Sequence, residues 1–121
     1  MRSVDRSYNV EIEIQKSKFI AYVFPVFEKE KAESFLRELN EEHKKATHVC
    51  YAYCVSEPAY EKCSDDGEPS GTAGKPILEV IKKSGLDNLL IVVVRYFGGI
   101  KLGAGGLTRA YTKACAGVLS D

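Results

Sequence analysis

The stretch 88–111 constrains the fold more than any other part of the chain. It opens Asn88-Leu-Leu-Ile-Val-Val-Val-Arg95-Tyr96-Phe97, and Leu89 to Val94 is apolar at every position. A strand with one wet face alternates apolar and polar residues, so an unbroken run belongs in the middle of a sheet, covered on both sides. Arg95 and Tyr96 end the run, where the strand is expected to reach the surface. Gly98, Gly99, Gly103, Gly105 and Gly106 follow, with Lys101 among them, before the helical pattern Leu107-Thr-Arg109-Ala-Tyr111. Glycine permits positive φ and the close approach of other groups. A buried strand that delivers such a loop to a helix N-terminus presents open N–H groups and the positive end of the helix dipole, which suits anions and docking partners.

The rest of the chain supplies the neighbours of that strand. Tyr8, Val10, Ile12 and Ile14 alternate with polar residues, as in a strand with one wet side. Lys16-Ser17-Lys18 reads as a tight connection and Phe19 to Phe24 as a second strand stopped by Pro25. Either an antiparallel hairpin or one long bent strand satisfies that spacing. Residues Glu28 to His43 read as a helix with Ala32, Phe35, Leu36 and Leu39 on one stripe. Ala46 to Val55 is a third strand, aromatic and β-branched, stopped by Glu57-Pro58. Tyr60 to Gly74 lacks apolar periodicity, is dense in turn formers, and reads as a loop. Ala73 to Ser84 reads as a second helix, with Thr72 as its N-cap and Gly85 as its stop. The last helix starts at Ala104 or Gly105 and runs to Leu119. Leu107, Ala110, Tyr111, Ala114 and Val118 form its core face, and Arg109 and Lys113 neighbour each other on the other side. The order β-β-α-β-α-β-α predicts an α+β fold, with a single mixed β-sheet and its helices on one face.

At 121 residues, one domain spanning 1–121 is expected. Hydrophobic content of 45% and charged content of 28% belong to an ordinary soluble protein. No apolar run approaches a membrane span. Met-Arg-Ser-Val-Asp lacks the apolar core of a secretory leader, so a cytoplasmic location is expected. The four cysteines read as buried free thiols. A zinc site through Cys50 and Cys54 fails, because strand residues four apart lie about 13 Å from each other. The net charge is zero but uneven: 10 Lys/Arg stand against 14 Asp/Glu through Ser70, and 7 against 3 from Gly71 onward. The basic half includes the glycine loop and suits an acidic partner, although its charge is far below that of a nucleic-acid module, and nothing signals DNA specifically.

The loop 60–74 is the second candidate for function, since long loops inside compact domains usually carry one. Asp65, Asp66 and Glu68 place three carboxylates within four residues, the oxygen chemistry of Mg²⁺ or Ca²⁺. The EF-hand pattern is absent, and Asp66 and Ser70 can instead hydrogen-bond their own turn. No metal and no cofactor is assigned. Gly74-Lys75 resembles the end of a phosphate loop, but Pro69 and Pro76 occupy the positions of the first glycine and the hydroxyl. Gly103 and Gly105 fail the dinucleotide fingerprint at Thr108. A G-x-S-x-G elbow is missing. His48, at the start of the third strand, suits capping or packing, and as a general base it would need a partner acid.

Ser17-Lys18-Phe19-Ile20, Ala46-Thr47-His48, the run from Asp65 to Gly74, and the run from Arg95 to Leu107 with Arg109-Ala110-Tyr111 together resemble the IMPACT/YigZ family. The likeness covers nearly the whole chain and corresponds to the family's N-terminal domain. It implies a ribosomal protein S5 domain 2-like fold and a connection to translation. Eukaryotic members compete for the coactivator of the amino-acid-starvation kinase that phosphorylates an initiation factor, and bacterial members have been suggested to bind nucleic acid. Bacterial relatives usually continue into a ferredoxin-like second domain, and eukaryotic ones carry an RWD domain. The 121 residues contain neither, as a minimal member or an excised piece would. The family supplies no catalytic assignment.

The residues themselves suggest that the loops 65–74 and 95–106 meet at one end of the sheet. Arg95, Lys101 and Arg109, with the N–H groups of Gly103 to Gly106, would then hold a phosphate or an acidic partner. Asp65, Asp66 and Glu68 would order Arg95 or Lys101 in the free protein. The candidate binding residues are Asp65, Asp66, Glu68, Ser70, Thr72, Gly74, Arg95, Tyr96, Gly98, Gly99, Lys101, Gly103, Gly105, Gly106 and Arg109, with His48 as an addition. Alternatively, these motifs only close a strand-to-helix connection and pair their charges internally. Three functions follow: a translation regulator that binds the ribosome or RNA, a module for a translation-regulatory protein partner, or an enzyme or binding protein for a phosphorylated small molecule.

Overall fold

The computed structural model describes residues 4–120. Residues 1–3, part of the N-terminal stretch read above as lacking a leader, and residue 121 lie outside the described residues. Eight elements follow in order: β1 (Tyr8–Ile14), β2 (Ser17–Pro25), α1 (Lys29–Glu42), β3 (His48–Ser56), β4 (Ala59–Ser64), α2 (Gly74–Ser84), β5 (Leu89–Tyr96) and α3 (Gly103–Leu119). The strands form one sheet in the order β1-β2-β5-β3-β4. As expected, β5 is central, and it is fully covered from Leu89 to Val94. Burying each such side chain contributes about 1.5–3 kcal/mol.

Alternation along β5 divides the core. Leu89, Ile91 and Val93 face α2 and α3, with Phe19, Ile77, Tyr111 and Cys115. Leu90, Val92 and Val94 face α1, with Leu36, Leu39, Val49 and Tyr53. The α+β class and single sheet agree with the expectation, but two details are corrected. Every strand pair is antiparallel, so the sheet is not mixed. The helices do not share one face: α1 covers one side, α2 and α3 the other. A continuous apolar strand requires cover on both sides, and three helices on one face would have left Leu90, Val92 and Val94 in water.

The segment 60–74 is also corrected, because its first part is the edge strand β4, paired antiparallel with β3 from Ser56↔Ala59 to Tyr51↔Ser64. Glu57 and Pro58 form the two-residue connection. Between β1 and β2, Ile14 pairs with Ser17, which settles the choice in favour of a hairpin. Its two turn residues, Gln15 and Lys16, both have positive φ, the geometry that matches strand twist in tight hairpins. Thr72 does not cap α2: its hydroxyl donates to the Pro69 carbonyl, and the N-cap position belongs to Ala73. Among the described residues, no helix is long and apolar enough to cross a membrane.

Gly98 locks the glycine loop to that hairpin. A Cβ there would lie 1.8 Å from the Lys16 carbonyl oxygen, whereas one on Gly71 (φ +81°) would meet open space. Gly98→Ala is therefore expected to destabilise the protein by more than about 2 kcal/mol. Gly71→Ala, which meets only its own backbone preference, should cost about 1–2 kcal/mol. Urea denaturation of the two variants measures the difference, and equal losses would exclude the close approach as the reason for glycine at 98.

Candidate functional site

The two polar loops meet as expected. A cleft of about 370 Å³ opens between them, lined on one side by His48, Glu68 and Pro69 and on the other by Phe97, Lys101 and Leu102. Strand register places its polar residues. Arg95 of β5 stands directly across from Phe19 on β2 and from His48 on β3, so all three point to the α2/α3 face.

Arg95 is buried, and its Nη1 donates to both oxygens of Glu68, at 2.8 and 3.1 Å. Its Nε and Nη2 approach the Ser17 hydroxyl at 3.4 and 3.3 Å, and the guanidinium lies near the rings of Phe19 and Phe97. The Tyr111 hydroxyl donates to Glu68 Oε2. Burial, then the neighbouring Cys50 and Glu68, push that hydroxyl well above its ordinary pKa, so it stays protonated and remains a donor. Thus Glu68, with a side chain only 2% exposed, receives a cation and a hydroxyl, and His48 Nε2 lies 3.4 Å from its other oxygen. The His48 Nδ1–H donates to the Asp66 carbonyl at 2.8 Å, because a carbonyl can only accept. The imidazole therefore turns Nε2 toward Glu68.

The acidic run is spent on architecture. Asp65 Oδ1 accepts from the N–H groups of Ala73 and Gly74, and Oδ2 from that of Gly71, so this carboxylate performs the capping that Thr72 does not. Burial pushes its pKa up, but the three backbone donors outweigh burial and leave it below the ordinary carboxylate value. Asp66 Oδ2 accepts from the Val49 N–H, tying the loop to β3. Gly74 is required beside β4, since a Cβ would stand 2.9 Å from Ser64 backbone atoms. Among the described residues, no group of three or more His, Cys, Asp or Glu side chains is arranged to hold a metal ion.

The cations part company. Arg95 does not reach solvent with β5, as the sequence suggested, and its charge is neutralised inside by Glu68. Lys101 stands exposed at the cleft rim. Arg109 lines a different hollow with Lys113, Ile14 and Ile100. Tyr96 turns to the opposite face, where its hydroxyl lies 2.6 Å from His43 Nδ1 while Tyr22 meets His43 Nε2 at 2.7 Å. Gly99 and Gly103 take positive φ, and Gly105 and Gly106 lie against Arg109 and Leu102. Ser70 is exposed on the loop. Sequence reading missed Ser17, Thr47 and Phe97: Ser17 and Thr47 hydroxyls accept from the N–H groups of Gly98 and Phe97, and Phe97 is 45% exposed at the rim. Tyr111 was read as core alone. The available signal was that a buried tyrosine hydroxyl requires a partner.

The four thiols are free. Cys50 and Cys115 are buried, Cys54 and Cys63 partly so. Desolvation raises Cys50 to about 12 and Cys54 to about 11, which suppresses the reactive thiolate.

Residues 15–119 match the Impact N-terminal domain. The chain belongs to the IMPACT family. It is 52% identical over 105 residues to the IMPACT family member YvyE of Bacillus subtilis (strain 168), covering 86% of this chain and 48% of that protein. With YigZ of Escherichia coli (strain K12) the identity is 45% over 102 residues, covering 82% and 50%. Protein IMPACT of Mus musculus is 36% identical over 103 residues, covering 80% and 32%. The chain thus spans about half the length of the curated bacterial relatives it matches. A crystal structure of a hypothetical protein superposes with a TM-score of 0.93 at 38% identity, covering 98% of this chain and 59% of that one. Yih1, described as a two-domain translational regulator, superposes with a TM-score of 0.64 at 24% identity, covering 99% and 48%, a likeness of fold.

In this IMPACT-family domain, Arg95→Ala would leave the Glu68 carboxylate buried without its cation, at a cost of about 3–5 kcal/mol. Arg95→Met combined with Glu68→Gln removes both charges and should recover most of that loss in urea denaturation. No recovery would mean that Arg95 acts through packing alone.

Asp65→Asn has one acceptor oxygen where the carboxylate uses two, leaving at least one of the Gly71, Ala73 and Gly74 N–H groups unpaired, and should cost about 1–3 kcal/mol at pH 7. Because the folded pKa of Asp65 is depressed, its ionised form stabilises the wild type fully above the unfolded value near 3.9. That contribution is lost as pH falls through the folded value. The gap between wild type and variant should therefore close below about pH 4, as a denaturation series against pH will show.

Proposed function

We propose that this domain takes part in translational regulation by binding, through the mouth between the loops 65–74 and 95–106, a ribosome, an RNA or a translation-regulatory protein in the cytoplasm. One observation carries the reading: two loops far apart in sequence share a single cleft whose interior charges are already satisfied, while Phe97 and Lys101 stand exposed at its rim. A rigid floor with an apolar and cationic rim suits recognition of a surface, since little ordering is needed on contact. The connection to translation is what the family resemblance implies, and the fold is shared with a protein described as a translational regulator.

The cleft also supports a second reading, as a binding site or enzyme for a phosphorylated small molecule. Its volume of about 370 Å³ is that of a small-ligand pocket, and His48 lines it. Both ring nitrogens of that histidine face groups of the domain itself, however: Nε2 is directed at Glu68 and Nδ1 at the Asp66 carbonyl.

Phe97→Ala/Pro69→Ala alters the rim and keeps the Arg95, Glu68 and Tyr111 side chains. It removes the Phe97 ring beside the Arg95 guanidinium, so matching melting temperatures are needed to show that the variant is folded. The wild type is expected to retain ribosomes or a translation factor from lysate, and the variant to lose at least tenfold. Nuclease treatment separates RNA from protein partners. Identical recovery by both chains would remove the cleft from the function, and a thermal shift with a panel of phosphorylated metabolites but no macromolecular partner would favour the second reading.

A further inference from the structure

Arg109 and Lys113 lie with Lys101 along a second hollow of about 310 Å³ beside α3, and the two hollows share Lys101 and Leu102. All three cations are exposed, and among the described residues none of them forms an ion pair. The hollow is lined by no carboxylate and no aromatic ring, while Ile14 and Ile100 supply apolar surface, Ile100 being 39% exposed. In the first hollow Glu68 balances Arg95 and Lys101 stands at the shared rim; this one leaves three positive charges beside aliphatic side chains.

We propose that this groove docks an acidic, amphipathic peptide segment of a partner protein, with carboxylates on Lys101, Arg109 and Lys113 and apolar side chains on Ile14 and Ile100. The proposal rests on the reading of the domain as a binding module and specifies the partner's chemistry next to the cleft. An extended segment repeats side chains on one face every ~7 Å. Arg109 and Lys113, four residues apart on α3, are separated by ~6 Å along the helix axis. Two carboxylates at alternate positions therefore match that pair, and aliphatic residues further along the same face, again at alternate positions, meet the apolar lining. An RNA strand would use the cations for its phosphates but would find no ring on which to stack its bases. Peptide uses both halves of the groove.

Random dodecapeptides displayed on phage are panned on the wild-type chain and on R109E/K113E. Both positions are exposed, and matching melting temperatures for the two chains establish that the variant is folded. Sequences with at least two acidic residues interspersed with apolar ones are expected to enrich on the wild type. As synthetic peptides they should bind it at least tenfold more tightly than the variant, and less tightly as salt rises. No acidic enrichment, or equal binding to the variant, overturns the proposal. Decauridylate, followed by fluorescence anisotropy, is the RNA arm: binding tighter than that of the selected peptides and lost in R109E/K113E would give the groove to RNA and overturn the proposal as well. Phe97→Ala/Pro69→Ala, which leaves this groove intact, should retain the peptides, so failure of the cleft reading and failure of this one are distinguishable.

Discussion

The Glu68 carboxylate is the point on which the loop end of the molecule depends. A carboxylate removed from water costs several kcal/mol unless it is paired and hydrogen-bonded. Here Arg95 from β5 supplies the opposite charge and Tyr111 from α3 a hydroxyl donor, with His48 of β3 lying beside them. With these in place, the loop that carries Glu68 cannot move without exposing one buried charge or stranding another. The floor of the cleft is thus tied together from within by buried hydrogen bonds. Asp65 and Asp66 reinforce it from the same loop, one fixing the start of α2 and the other β3.

That convergence requires strand register. Phe19, Arg95 and His48 stand side by side across three strands, so their side chains share the α2/α3 face. Slipping β5 by one residue would send Arg95 to the α1 side, where Tyr96 now meets His43, and would also invert the whole apolar run. The hydrophobic pattern of β5 alone does not forbid such a slip, because both faces are apolar. The single charged residue at its end supplies the missing specification: only one register gives Arg95 a carboxylate.

The same fact explains which features were legible in the sequence. The central strand, the three helices and the meeting of the two loops could be read from apolar runs, stripes and glycines, which report local geometry. The burial of Arg95 could not, because a charge at the end of an apolar run looks like a strand reaching solvent until its partner is placed. Glu68 lies 27 residues away, in a stretch without periodicity. The edge strand β4 was hidden for a related reason: Ala59 to Glu61 and Lys62 are exposed, so no face of it is apolar enough to show an alternation. Its signal was the two-residue Glu57-Pro58 connection after a clear strand. The division of helices between two faces was implicit in the six-residue apolar run, which requires cover on both sides.

A net charge of zero conceals a useful arrangement. Arg95 and Glu68 neutralise each other in the cleft, whereas Lys101, Arg109 and Lys113 are left to solvent around the adjoining groove. Cations paired inside the protein contribute little to steering a distant partner, because a nearby opposite charge cancels their field. Unpaired ones on the surface act over roughly a Debye length, about 8–10 Å at ordinary salt. Under the proposed binding function, steering and fit would fall to different residues: the exposed lysines and arginine would draw an acidic partner toward this end of the sheet, and the apolar rim around Phe97 would select its shape. Had Arg95 been the exposed cation that its position suggests, the cleft would have lost the pair that ties its floor together. Its burial is what would separate the two tasks.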